Sequence, residues 1–116
     1  MSDIAHAYLG SASGNVFEIA RRGPTELWVR GELDLRTAPA LLVALEEAGK
    51  ELQTLDLGEL TFLDSTGIHA LIGYARQRDG GGPLRLANVP GWTLRVFEIT
   101  GISDSSLFEI HKIDGD

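Results

Sequence analysis

The chain has 116 residues, 43% of them hydrophobic, which is the length of one ordinary domain with enough apolar side chains to fill a single core. A formal charge of −7 sets it against phosphate backbones and anionic lipid, so neither direct nucleic-acid binding nor direct membrane binding is expected. The absence of cysteine removes disulfides, thiol catalysis and cysteine-ligated metal. The start, Met1-Ser2-Asp3-Ile4-Ala5-His6, lacks the basic-then-apolar layout of a signal peptide, and no apolar run reaches about eighteen residues, so the expected location is the cytoplasm.

Residues 1–14 are small and mixed and end in Gly10-Ser11-Ala12-Ser13-Gly14, the composition of a flexible N-terminal arm. Val16-Phe17-Glu18-Ile19-Ala20 and Thr25-Glu26-Leu27-Trp28-Val29-Arg30-Gly31 read as a hairpin, with Arg21-Arg22-Gly23-Pro24 as its turn. In the second strand Leu27 and Val29 share one face and Trp28 and Arg30 the other. From Thr37 the period changes: Ala38, Leu41, Leu42, Leu45, Ala48 and Leu52 fall at helical spacing, with Thr37 as the expected N-cap and Pro39 in the tolerant first turn. Leu55-Asp56-Leu57 and Leu60-Thr61-Phe62-Leu63 read as a strand running into a loop, interrupted at Gly58-Glu59.

A second helix begins at or beside Ser65, since Ile68, Leu71, Ile72 and Ala75 follow at helical spacing and Arg76 and Arg78 close the segment. Asp79-Gly80-Gly81-Gly82-Pro83 stops it. Leu84-Arg85-Leu86-Ala87-Asn88 is the next strand, residues 92–100 a short third helix ended by Gly101, and Leu107-Phe108-Glu109-Ile110 a last edge strand or helical turn. The C-terminal residues 112–116 are expected to fray. Helical crossovers make the later strands parallel and the opening hairpin antiparallel. The expected fold is therefore a single α/β domain over residues 15–111, a mixed four- to five-stranded sheet packed with three to four helices.

The residue types that carry chemistry are few. Ser65 has an ordinary explanation, because Asp64 or Ser65 can cap the helix that starts there. A catalytic serine would need a base and the elbow Gly-x-Ser-x-Gly, and here Leu63 and Asp64 stand where a glycine is required. His6, His69 and His111 are the only histidines, and His69 lies four residues after Ser65 on the same predicted helix. Asp64-Ser65-Thr66-Gly67 differs from the Asp-Thr/Ser-Gly of aspartic proteases by one inserted residue, and helical periodicity starts where such a protease needs β structure. Gly80-Gly81-Gly82 follows a helix and precedes no Gly-Lys-Ser/Thr, so it is a turn and not a phosphate loop. The dispersed histidines and carboxylates predict no metal, and nothing in the pattern asks for a cofactor.

Gly31-Glu32-Leu33-Asp34 with Thr37-Ala38-Pro39, then Leu55-Asp56-Leu57, then Thr61-Phe62-Leu63-Asp64-Ser65-Thr66-Gly67, and finally Val96-Phe97-Glu98-Ile99-Thr100-Gly101 form an ordered set. Over residues 16–110 this set resembles the STAS family of anti-sigma factor antagonists. The resemblance implies a non-enzymatic regulator that binds an anti-sigma factor, itself an ATP-using serine kinase, and so frees a sigma factor. It implies Ser65 as the phosphoacceptor that switches binding off, with Thr66 as a second candidate acceptor and a phosphatase as a further partner. It also places Asp34, Asp64, Ser65, Thr66 and Gly67 at the partner surface. Two further readings share the same residues: a constitutive STAS subunit of a transporter or stress-signalling scaffold, and a small hydrolase using Ser65 and His69. The stretches Asn88-Val89-Pro90-Gly91-Trp92 and Ile102-Ser103-Asp104-Ser105-Ser106-Leu107 depart from the compact family pattern.

Overall fold

The computed structural model of the chain describes residues 6–9, 16–78, 80 and 82–113. Six strands lie in sequence order across one sheet: β1 His6–Leu9, β2 Val16–Arg22, β3 Glu26–Leu33, β4 Thr54–Leu63, β5 Leu84–Val89 and β6 Phe108–Lys112. Strands β1 to β3 pair antiparallel and β3 to β6 pair parallel. The crossovers are α1 Ala38–Ala48, α2 Ser65–Gln77 and α3 Gly91–Thr100, supplemented by single 3-10 turns at Gly49–Glu51 and Ile102–Asp104. Consecutive parallel strands joined by right-handed crossovers put their helices on one face of the sheet.

The alternation in β2 and β3 decides which side is buried. Phe17 and Ile19 sit beside Gly31 and Val29 on the covered face with Leu27, while Glu18, Arg22, Trp28 and Arg30 take the other. Leu33, Leu55, Leu57, Leu84 and Leu86 continue the core, which α1 meets with Leu41 and Leu45, α2 with Ile68 and Leu71, and α3 with Phe97. At about 25 cal/mol per Å² of apolar surface, burial on this side is the main term holding the layers together.

Several expectations need correction. Residues 6–9, inside the segment read as a flexible arm, form an edge strand whose backbone pairs with residues 16–19, which raises the described strand count to six. Arg21 and Arg22 belong to β2 and the turn is tighter, Gly23 supplying its positive φ of 74°. Arg21 reaches across to donate to the Ala48 carbonyl at the end of α1 (3.2 Å), a tertiary use that a turn motif does not reveal. Gly58-Glu59 does not interrupt β4, which is one strand with register shifts against β3. Strand β6 runs through Lys112, and Ile113 N–H donates to the Val89 carbonyl, so order extends past the expected fraying point; residues 114–116 lie outside the described residues. Gly101 closes α3 in the left-handed region, φ 86°, as its position implies.

Candidate functional site

Strands β3 and β4 run side by side to Leu33 and Leu63, which are register partners, and each then turns into an aspartate. The Asp64 N–H donates to the Leu33 carbonyl (3.2 Å), so the two turns, the sequences 34–37 and 64–67, are adjacent at the carboxyl edge of the parallel strands. This is the edge at which open α/β sheets present their functional groups.

Asp64 rather than Ser65 is the N-cap of α2. Its backbone is extended (φ −116°, ψ −175°), and its Oδ1 accepts from the amides of Thr66 (2.9 Å) and Gly67 (3.1 Å). Its carbonyl takes the first helical bond, from Ile68 N–H at 3.0 Å. Two amides that would otherwise lack partners are thereby satisfied by one carboxylate, which also complements the helix dipole. Ser65 is the first helical residue and is exposed; Thr66 is half-buried.

Gly67 does not face outward. A Cβ there would lie 2.8 Å from Leu33 Cγ, 2.8 Å from Leu63 Cδ1 and 3.0 Å from the Leu33 carbonyl oxygen. Its contribution is to let the start of α2 press against β3, where it is buried instead of standing at the surface.

The turn after β3 is built differently. Asp34 Oδ1 accepts from the amides of Arg36 (2.9 Å) and Thr37 (3.2 Å), and the Asp34 carbonyl accepts from Ala38 N–H (2.9 Å). Thr37 occupies the cap position of α1 but makes no side-chain cap bond. Its buried hydroxyl points back, donating to the Glu32 carbonyl (2.7 Å) and accepting from Asp34 N–H (2.9 Å). The aspartate closes the turn ahead of α1 on itself, and the side-chain cap expected from Thr37 is not made. Leu35 is left 71% exposed at the tip, and Phe62 46% exposed just before Asp64.

His69 is exposed one turn along α2, and among the described residues no hydrogen bond joins its ring to Ser65. Also among the described residues, no cluster of histidine and carboxylate groups is arranged to hold a metal, and no helix is long and apolar enough to cross a membrane.

A polar cluster that the sequence reading did not single out lies on the sheet face away from Leu27 and Leu55. Asp56 is 4% exposed; its Oδ2 accepts from Arg22 Nη1 (2.9 Å) and Asn88 Nδ2 (2.8 Å), and its Oδ1 from Gly58 N–H (2.9 Å). Arg22 also stacks over Trp28, 5.3 Å from the ring centre. Pairing of β4 with β5 ends at Asp56, and Asn88 adopts φ 54° to reach it. The signal was present as an aspartate inside the buried alternation Leu55-Asp56-Leu57.

With this geometry in place, comparison with other proteins is informative. The family model described as "Mlab, STAS domain" matches residues 19–109. The chain is 36% identical over 80 residues to an anti-sigma-B factor antagonist of Bacillus subtilis, covering 66% of this chain and 72% of that one. It is 35% identical over 96 residues to the anti-sigma-B factor antagonist of Listeria monocytogenes, covering 78% and 82%. In three dimensions it resembles an anti-sigma factor antagonist from Mycobacterium paratuberculosis (TM-score 0.69, 22% identity, 89% of this chain and 90% of that one). It also resembles the unphosphorylated antagonist SpoIIAA (TM-score 0.59, 19% identity, 81% and 86%). The two sequence relatives are named as antagonists, regulatory proteins rather than enzymes, which sets aside the hydrolase reading of Ser65 and His69. The match along most of its length shows that this chain belongs to the STAS-domain family of anti-sigma factor antagonists.

Proposed function

We propose that the chain, in its unphosphorylated form, binds an anti-sigma factor that is an ATP-using serine kinase, and so frees a sigma factor in the cytoplasm. Phosphorylation of Ser65 ends that binding, and a phosphatase restores it. The observation that carries this reading is the placement of Ser65: an exposed hydroxyl on the first residue of α2, held at a fixed edge by the Asp64 cap and the Asp64 to Leu33 bond. In the modification, the γ-phosphoryl group of partner-bound ATP passes to Ser65 Oγ, ADP leaves, and the hydroxyl proton is released. Thr66, half-buried, is the less accessible acceptor. Asp34, Asp64, Ser65 and Thr66 form the partner-facing edge.

A phosphoseryl group adds about −1.5 to −2 charges. A dianion about 6 Å from one carboxylate is disfavoured by about 1–5 kcal/mol for effective dielectrics of about 80 down to 20, and desolvation at an interface adds to this. Since about 1.4 kcal/mol is tenfold in affinity, one modification is enough to end a micromolar contact. The test is incubation with the cognate anti-sigma factor and Mg-ATP, followed by phosphosite mapping. Phosphate on Ser65, absent from Ser65→Ala, is the expected result. Phosphate elsewhere, or none with any anti-sigma factor that binds the chain, contradicts the reading.

A further inference from the structure

We infer that Asp64 keeps the Thr66 and Gly67 amides when Ser65 is phosphorylated, so that the phosphate projects from the surface as a largely uncompensated dianion instead of displacing the cap at the start of α2. The inference rests on Ser65 as the modified residue, the reading proposed above. A phosphate beside a helix N-terminus is ordinarily welcomed by its free amides and dipole. Here the Thr66, Gly67 and Ile68 amides are taken, and Ser65's own N–H is the one the cap does not reach. Asp64 Oδ1 holds Thr66 N–H and Gly67 N–H, and the Asp64 carbonyl holds Ile68 N–H.

Nor can the helix start shift to offer a new set. The Asp64 amide is tied to the Leu33 carbonyl, and Gly67 lies against Leu33 and Leu63 with no room for even a Cβ. The carboxylate is thus preorganised on its amides, while a phosphate on the next residue would have to evict it and leave that carboxylate without partners. The charged and titratable groups of the two segments that meet here are Glu32, Asp34 and Arg36 around the end of β3, and Asp64 and His69 on α2. Asp34 is engaged by its own turn amides. Carboxylates therefore outnumber the one permanent cation, Arg36, and the phosphate is left to act on whatever approaches this edge.

The experiment installs phosphoserine at position 65 during translation, so no kinase is required, and follows the full chain by amide and ³¹P NMR. A kinase assay that leaves Ser65 unmodified would remove the proposed function; the NMR outcome bears on the inference alone. In the wild type, the Thr66 and Gly67 amide resonances should stay near their unphosphorylated positions through the phosphate titration. The phosphate's second pKa, ordinarily about 6, should fall by about half a unit to one unit when Asp64→Asn removes the neighbouring charge while retaining a capping acceptor. Downfield movement of both amides as the phosphate ionises, with a second pKa unchanged by Asp64→Asn, would show that the phosphate has taken the cap and would overturn the inference.

Discussion

Asp56 and Asp64 make the same local bond, each Oδ1 accepting the amide two residues ahead at 2.9 Å, yet they serve opposite ends of the protein's behaviour. Asp56 is buried and tied to Asn88 on the adjacent β5 and to Arg22 on β2, across β3, where it marks the point at which β4 parts from β5. Asp64 is half-exposed, and its neighbour in sequence is an accessible serine. The difference lies in the third dimension: a carboxylate enclosed by partners stabilises the sheet, whereas one at the surface edge caps a helix beside an exposed hydroxyl.

Substitutions can break that comparison. The largest loss of stability is expected for Asp56→Ala, about 2–3 kcal/mol by chemical denaturation, because the half-buried Gly58 amide loses its acceptor and the buried ion pair with Arg22 is lost; the exposed ends of Arg22 and Asn88 recover part of this from water. A loss below that of Asp64→Ala would dissolve the contrast. Gly67→Ala should cost about 1–3 kcal/mol by overpacking against Leu33 and Leu63, and should disturb the Asp64 amide resonance with it. Asp64→Ala should cost about 1 kcal/mol, and Asp64→Asn much less, since asparagine caps as well as aspartate. Smallest and opposite in sign is Thr93→Val: the Thr93 hydroxyl is fully buried and among the described residues has no hydrogen-bond partner, so its removal should stabilise by about 1 kcal/mol or less, read as a rise in Tm.

The core was legible because its periodicities are strong. Leu41 and Leu45 at helical spacing, and Leu27 and Val29 in alternation, end up buried as their patterns require. The start of α2 was legible for the same reason, with Asp64 and Ser65 both fitting the cap. Three things were not. Strand β1 is four residues long, too short to be distinguished from an arm until β2 is there to pair with it. The Asp34 carboxylate closes the turn before α1 on the Arg36 and Thr37 amides, and the Thr37 hydroxyl points back to Glu32 instead of capping, an arrangement that depends on backbone geometry. The inward position of Gly67 and the partners of Asp56 both arise from contacts between segments distant in sequence, which no local pattern encodes.

The central claim is that modification of Ser65 changes binding and leaves the fold intact. The direct measurement is the Kd of the chain for its anti-sigma factor, unmodified and phosphorylated on Ser65, with Tm recorded on the same two samples. The account predicts at least about a tenfold loss of affinity, corresponding to about 1.4 kcal/mol, with a Tm change of a few degrees at most. Equal affinities for the two forms would contradict it, and so would a loss of affinity accompanied by unfolding of the phosphorylated chain.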